Sequence, residues 1–415
     1  MRSLAEWIEL QQRVHPRAID LGLERVARIA RALGVERPDA PTWIVGGTNG
    51  KGSTIAYLHS ILAAAQFTTG VFTSPHLVRY NERVRVGGAE VPDAELIEAF
   101  EAIEAARGAT TLTFFEFSAL AALLVFRWRG VDAQLLEVGL GGRLDATNLV
   151  DADVAVLCSV GSDHHQWLGP TLEDVGREKA GIFRHGRPAI IGAADLPASV
   201  FTEVERIGAV PHVARRDYDW EHSGERWTYR SRARTLADLP IPALVGEVQF
   251  ANAAAAIAAL DAGPLPVSAH AVARGLEQAR LPGRFQVVPG EVEWILDVAH
   301  NAPAAAELAR NLAARAVRGR TLALAGFLDD KDVAAIGRVL APHIDAWVIA
   351  SLPPPRGLTA AQVAGELGIG APLAQCESMA DACAQARAAT RSGDRIVAFG
   401  SFHLVGPVLE WLQLY

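Results

Sequence analysis

Cysteine is scarce in this chain. The three cysteines in 415 residues, Cys158, Cys376 and Cys383, are odd in number and fit no metal-ligand spacing. That excludes a disulfide framework and leaves buried or surface thiols, as expected of a cytoplasmic protein. A basic surplus is also missing. With 47 acidic residues against 39 Lys and Arg the formal net charge is −8, which gives nucleic acid and anionic membranes no electrostatic hold. Small polar substrates fit better. No apolar run is long enough to span a bilayer, the longest being "FSALAALLVFRW". The N-terminal "MRSLAEWIELQQR" is amphipathic and lacks the apolar core of a signal peptide. Internal repeats and the guanine-reading N-K-x-D motif are absent as well.

What is present is apolar residues, 50% of the total, in a chain too long for one ordinary core. At about 100–200 residues per domain, two or three domains are expected. The runs "TWIVGG", "GVFTS", "AQLLEVGL", "VAVLCSV" and "AIIGA" read as strands, most of them followed by helical periodicity. A second series, "EWILDVAHN", "TLALAGF", "AWVIAS" and "RIVAFGS", follows "LPGRF". The alternation predicts an α/β protein with mainly parallel sheets covered by helices. The boundary falls near Pro282 to Gly290, giving domains of residues 1–284 and 285–415. Between the two series, "RRDYDWEHSGERWTYRSRARTLADLP" reads as a small antiparallel excursion, and "FANAAAAIAALDAG" as a tightly packed helix.

Ligands of open α/β sheets bind beyond the carboxyl ends of the strands. The polar peculiarities of this sequence fall there: "GGTNGKGST" after "WIV", "TSPHLVRYNERVRV" after "GVF", "EVGLGGRLDATN" after "QLL" and "SDHHQWLG" after "VLCSV". The first resembles a phosphate-binding loop but departs from the common G-x-x-x-x-G-K-[ST] spacing. Lys51, among glycines at a strand-to-helix transition, is read as a phosphate ligand, and Ser53 or Thr54 as the helix cap and a contact to Mg²⁺. Glu137 at the end of an apolar strand would be costly unless solvated or paired, and carboxylates suit a hard cation. Taken alone, His164 and His165 read as surface or capping histidines, and the aromatics around Glu116 as core.

Together, "GTNGKGS" (Gly47–Ser53), "TSPHL" (Thr73–Leu77), "NER" (Asn81–Arg83), "EVGLGGRLDATN" (Glu137–Asn148), "DH" (Asp163–His164) and "REKAGI" (Arg177–Ile182) resemble the folylpolyglutamate synthase and dihydrofolate synthase family of the Mur ligase superfamily. The resemblance runs on through Asn252, "LPGRFQ", "LDVAHN", "DKD" and "GSFH". It implies a P-loop ATPase domain followed by a Rossmann-like domain, and a ligase that phosphorylates a carboxylate with ATP and passes the acyl group to an amine. It implies ATP contacts at Gly47, Thr48, Asn49, Gly50, Lys51, Gly52, Ser53, Thr54, Asn252, Arg284 and Asp297. Two Mg²⁺ ions are implied, one by the P-loop at Ser53 and one held by Ser74, Glu137, His164 and a carbamylated Lys179. Lys51, Lys179 and His164 are the implied catalytic groups.

The resemblance further implies L-glutamate contacts at His300 and Ser401. Dihydropteroate or a reduced folate would be held by Arg13, Val14, His15 and Pro16, by Thr113, Phe114, Phe115 and Glu116, and by Leu144, Asp145 and Ala146. Ala302 stands where the family commonly has proline. The expected product is the glutamate amide of either acceptor, made by a cytoplasmic monomer. The alternatives are a folylpolyglutamate synthase alone or another Mur-type amide ligase. A P-loop switch or small-molecule kinase is the more distant reading; a kinase leaves a phosphorylated product, whereas a ligase releases phosphate only when acceptor and amine are both present.

Overall fold

The computed structural model describes residues 2–163 and 165–415; His164 lies outside the described residues. The chain divides into two compact units, one made of Met1–His76, Tyr80–Ala243 and Gln249–Ala279, the other of Leu77–Arg79, Leu244–Val248 and Arg280–Tyr415.

The strands of the first unit are β1 (Thr42–Gly46), β2 (Thr69–Phe72), β3 (Val84–Val86), β4 (Ala89–Glu90), β5 (Ala133–Glu137), β6 (Val154–Leu157), β7 (Pro188–Ile191) and β8 (Val210–Val213). Their order across the sheet is β4-β3-β2-β5-β1-β6-β7-β8. From β2 to β8 all pairings are parallel, while β3 and β4 form an antiparallel edge. Every residue of β1, β2, β5 and β6 is buried. Helices therefore cover both faces, which is why these strands read as continuous apolar runs rather than alternating ones.

Ile44, Phe72, Leu136 and Leu157 pack on one face, with the helices Leu4–Val14, Glu24–Leu33, Asp93–Arg107 and Phe114–Arg129. The apolar stretch from Phe117 to Phe126 is thus core, and no helix among the described residues is long and apolar enough to cross a membrane. Trp43 points to the opposite face, where its Nε1 donates to the carbonyl of Ala259 at 3.1 Å. Ala259 lies in the helix Val248–Asp261, whose run from Ala253 to Leu260 is buried, so the alanine-rich segment is a packed helix. On the same face the helix Lys51–Ala64 packs against Ala269–Gln278. Their approach depends on Gly275, where a Cβ would meet Ile61 Cα at 2.5 Å. The polar insert forms a three-stranded antiparallel sheet of β9 (Tyr218–Ser223), β10 (Arg226–Ser231) and β11 (Thr235–Pro240).

The second unit has β12 (Gln286–Val288), β13 (Glu293–Asp297), β14 (Thr321–Ala325), β15 (Ala346–Ala350), β16 (Ala374–Cys376) and β17 (Arg395–Phe399), in the order β12-β13-β17-β14-β15-β16. Only β12 runs antiparallel to its neighbour. Successive strand residues point to opposite sides: Ile295, Val397 and Phe399 enter one core, Leu296, Ile396 and Ala398 another. Two cores flanking one parallel sheet make a doubly wound layer structure.

Gly275→Ala is expected to destabilise the first unit by about 1–3 kcal/mol, because the added methyl meets backbone that cannot step aside. Gly365, in the helix Ala360–Glu366, has nothing within 4 Å of a built Cβ, and Gly365→Ala should stabilise by about 0.5–1 kcal/mol. Thermal melting of the two variants checks the pair; equal midpoints would contradict this packing.

Candidate active site

The chain leaves β1 toward β2, on the β5 side, and leaves β6 toward β7 on the other. The carboxyl ends of β1 and β6 therefore bound the crevice at a topological switch point, where α/β sheets take ligands. The loop Gly47–Gly50 lies there, with φ of 148° at Gly47 and 89° at Gly50. Gly50 is required on two counts. Its φ is left-handed, and a Cβ would stand 2.6 Å from Asn252 Oδ1. Asn252 is itself held by its Nδ2, which donates to Gln249 Oε1 at 3.1 Å.

The far side of the loop is bound to the segment after β6. Thr48 N donates to Ser159 O at 3.0 Å. Asn49 N donates to Ser159 Oγ at 3.0 Å, and Ser159 Oγ donates back to Asn49 O at 3.0 Å. Gly161 N donates to Thr48 Oγ1 at 2.9 Å. Nothing in the sequence around Ser159 marked it as a clamp on a loop 110 residues earlier.

The helix Lys51–Ala64 begins at N-cap Gly50, with no side-chain cap. This corrects the expectation that Ser53 or Thr54 caps it: both lie inside the first turn, and Thr54 Oγ1 is 3.3 Å from Cys158 Sγ. An uncapped helix start leaves backbone N–H groups and the positive end of the helix dipole for an anion. Lys51 Nζ meanwhile donates to the carbonyls of Gly47 at 2.9 Å and Thr48 at 3.2 Å, which keeps the ammonium over the loop.

Glu137 ends β5 and is 6% exposed; its Oε2 accepts from Ser74 N at 3.1 Å. Lys179, in the helix Leu172–Ala180, is equally buried. Burial, and then the charge of Lys51, push its pKa down to about 7, against the pull of Asp163 and Asp145. Lys51, Glu137 and Lys179 are all close enough for their charges to act on Cys158, whose thiol burial raises to about 11. The three expected groups are thus brought together. No cluster of three His, Cys, Asp or Glu side chains able to hold a metal forms among the described residues. The donor set of a carboxylate and a hydroxyl beside a phosphate-binding loop nevertheless fits a hard divalent cation that shares its shell with phosphate oxygens.

The "EVGLGGRLDATN" loop folds around Asp145, which accepts from Gly139 N at 3.0 Å, Leu140 N at 2.9 Å, Thr147 N at 2.9 Å and Thr147 Oγ1 at 2.6 Å. Burial raises its pKa, and these bonds oppose the shift. Asp145 lines a cavity of about 260 Å³ in the first unit, together with Ser74, Arg83, Thr113, Phe114, Phe115, Glu116, Leu144 and Ala146. Two of the three expected acceptor segments therefore converge. The third does not. Arg13 is 73% exposed and pairs with Glu9, and the wall is built instead by Ala18, Ile19, Asp20, Leu21 and Gly22, with His15 tied to Asp20 at 3.3 Å. Glu116 also has a local duty. It closes a capping box with Thr113, accepting from Thr113 N at 2.8 Å while Glu116 N donates to Thr113 Oγ1 at 3.2 Å, and it pairs with Arg25 at 2.9 Å. The spelling T-x-x-E was a legible sign of that role.

In the second unit, Asp297 at the end of β13 accepts from Phe285 N and Ala299 N, both at 2.8 Å. Burial raises its pKa, and the charge of Arg284 opposes this. The Arg284 guanidinium lies 5.1 Å from the centroid of Phe402. His300 Nδ1 is 2.7 Å from Val298 O, and its ring centroid is 6.3 Å from that of Phe402. Ser401 caps the helix Phe402–Trp411, accepting from His403 N at 3.1 Å. Ala302 is followed by Pro303 in the first turn of the helix Ala302–Ala314, with Asn301 as N-cap.

With this geometry in view, the likenesses to known proteins are specific. The Mur ligase middle domain family matches residues 45–260 and the Mur ligase glutamate ligase domain family residues 283–402. The dihydrofolate synthase/folylpolyglutamate synthase of Escherichia coli (strain K12) is 46% identical over 98% of this chain and 95% of its own length. That of Haemophilus influenzae is 37% identical over 97% and 96%. Among solved structures, E. coli FolC in complex with DHPP and ADP superposes with a TM-score of 0.95 at 44% identity, covering 100% of this chain and 98% of that one. A bifunctional folylpolyglutamate synthase/dihydrofolate synthase with Mn, AMPPNP and L-glutamate bound gives 0.93 at 41%, with 100% and 98% covered. A mainly parallel sheet carrying a glycine-rich loop at its switch point, followed by a doubly wound second unit, joined to 46% identity over 98% of the chain, places the chain in the dihydrofolate synthase/folylpolyglutamate synthase family of Mur ligases.

Proposed function

We infer that this protein is an ATP-dependent ligase that joins L-glutamate to the carboxyl group of 7,8-dihydropteroate and of reduced folates, releasing ADP and phosphate. The observation that carries the reading is the uncapped, glycine-cradled start of the helix Lys51–Ala64 in the same unit as a cavity walled by Phe114 and Phe115. A carboxylate is a poor acylating group. Transfer of the γ-phosphoryl group forms a bond from the carboxylate oxygen to phosphorus and breaks the bond to ADP. The glutamate amine then attacks the acyl carbon, loses a proton, and phosphate departs.

Each of these steps crowds anions, so the chain's contribution is positioning and neutralisation. Lys51 and the first-turn N–H groups hold the phosphates. Ser53, Ser74, Glu137, His164 and a carbamylated Lys179 would hold the divalent cations, two in this proposal, which supply charge neutralisation of the phosphoryl group. Carbamylation requires a neutral amine as nucleophile, and Lys179, held near pH 7 by burial, provides one. In the first unit, Asn252 beside Gly50 is assigned to ATP. In the second, Arg284 and Asp297 are assigned to ATP and His300 and Ser401 to glutamate, with residues 1–284 and 285–415 taken as the two functional domains. The buried free thiols suit a reducing cytoplasm, and the protein is taken to act there as a monomer on small molecules.

The carbamate is tested by pH. The folded-state pKa of Lys179 is depressed, so the neutral amine and its capture of CO₂ should be present above about pH 7 and be lost as pH falls below it. A carbon-13 carbamate signal after labelling with bicarbonate, absent in Lys179→Ala, is expected to follow that curve. Activity of Lys179→Ala should be nearly abolished and partly restored by a small carboxylate such as formate; full activity without rescue would contradict the assignment.

The substrate reading is tested by glutamate-dependent phosphate release with dihydropteroate and with a reduced folate, each alone. Release is expected with both. Glu116→Ala and Asp145→Ala should weaken dihydropteroate by roughly tenfold or more, the loss expected of a hydrogen bond to a charged group. Release with the folate alone would reduce the protein to a folylpolyglutamate synthase, and release with neither would point to another Mur-type ligase.

A further inference from the structure

Each acid that lines the 260 Å³ cavity already has a partner within the protein. Asp20 pairs with Arg25 and His15, Glu116 with Arg25 and Thr113, and Asp145 with its own loop. The one basic residue among the lining residues is Arg83. It is 7% exposed, and a guanidinium that far from water is costly unless paired. Its Nε donates to His76 Nδ1 at 2.8 Å, which fixes the plane of the group. The guanidinium carbon lies 5.0 Å from the centroid of Phe114 and 5.8 Å from that of Tyr80. These rings orient and shield it but supply no anion. Among the described residues no carboxylate forms an ion pair with it, although the charges of Glu82 and Glu137 act on it from farther off. Glu137 is the carboxylate assigned to the divalent cation, so its charge is committed elsewhere.

We propose that Arg83 binds the reacting carboxylate of the acceptor, orienting it toward the Ser74–Glu137 end of the cavity. The proposal rests on the ligase reading and assigns the group that recognises the acidic end of the acceptor. The arrangement suits this use. Thr73 N donates to Arg83 O at 3.0 Å, and the next residue, Ser74, lines the same cavity and is bonded to Glu137, so a carboxylate on Arg83 lies near the part of the cavity where phosphoryl transfer is placed. Phe114 and Phe115 remain for the ring system. A forked guanidinium fixes both carboxylate oxygens at once, which leaves the anion in one orientation before it meets a second anion.

The test compares dihydropteroate with its neutral carboxamide as ligands, by calorimetry, for wild type, Arg83→Gln and Arg83→Lys. Wild type should bind the acid roughly 10–100-fold more tightly than the amide, the range expected of hydrogen bonds to a charged group. Arg83→Gln should lose most of that preference while binding the amide as wild type does, so its intact amide affinity reports the fold. Arg83→Lys should recover part of it. KM for the acceptor should rise while KM for ATP stays within about twofold, within the scatter of variants that leave a site untouched. Equal weakening of acid and amide, or an undiminished preference in Arg83→Gln, would overturn the proposal. Failure of wild type to bind either compound would instead count against the ligase reading.

Discussion

Gly50 stands at φ 89° with the Asn252 side-chain oxygen only 2.6 Å from where a Cβ would be, and this close approach constrains the turn that leads from β1 into the next helix. Any side chain there would clash with Asn252 and strain the backbone, and either effect would move the start of the helix Lys51–Ala64. That start must stay uncapped to be useful. A Ser or Asp at the N-cap satisfies one of the first-turn N–H groups internally; here no side chain does so. The loop is therefore held by hydrogen bonds from Ser159 and Gly161 on one side and packed against Asn252 on the other, which fixes its shape ahead of the helix start.

The cavity assigned to the acceptor follows a related economy. Its acids are satisfied by Arg25, Thr113, Thr147 and backbone amides. They shape the wall as well as presenting polar edges, which is why removing one would disturb packing along with any ligand contact. Phe114 and Phe115 provide apolar area, and Arg83, on which the charge of Glu137 acts, provides the basic group. A long, flat, acidic molecule is the complement of such a wall: apolar in the middle, polar at a few fixed points.

Much of this was legible because burial on both faces makes parallel strands read as unbroken apolar runs. β1, β2, β5, β6 and β7 could be found that way, and so could β13, β14, β15 and β17. The edge strands β3 and β4, three and two residues long, carry too short a pattern to be seen. The turn from β1 into the helix was legible in the glycine-rich loop, but the helix cap was misassigned to Ser53 or Thr54, since the sequence does not reveal that Gly50 itself ends the loop. At the cavity, "TFFE" and "LDA" were found from their motifs, while Arg13 to Pro16 fell short because the wall begins two residues later, at Ala18. Ser159 became visible only through tertiary contact, touching a loop 110 residues away; Arg83 stood in the "NER" motif, but its place beside the Tyr80 and Phe114 rings showed only in the fold.

In the ligase proposed above, the carboxylate is phosphorylated before the amine attacks. The direct measurement uses an acceptor whose carboxyl oxygens are labelled with oxygen-18, turned over with ATP and L-glutamate, and the released phosphate examined by mass spectrometry. One labelled oxygen is expected in each phosphate, because the bond from acceptor oxygen to phosphorus survives when the acyl carbon is attacked. Phosphate free of label during full amide synthesis would contradict it.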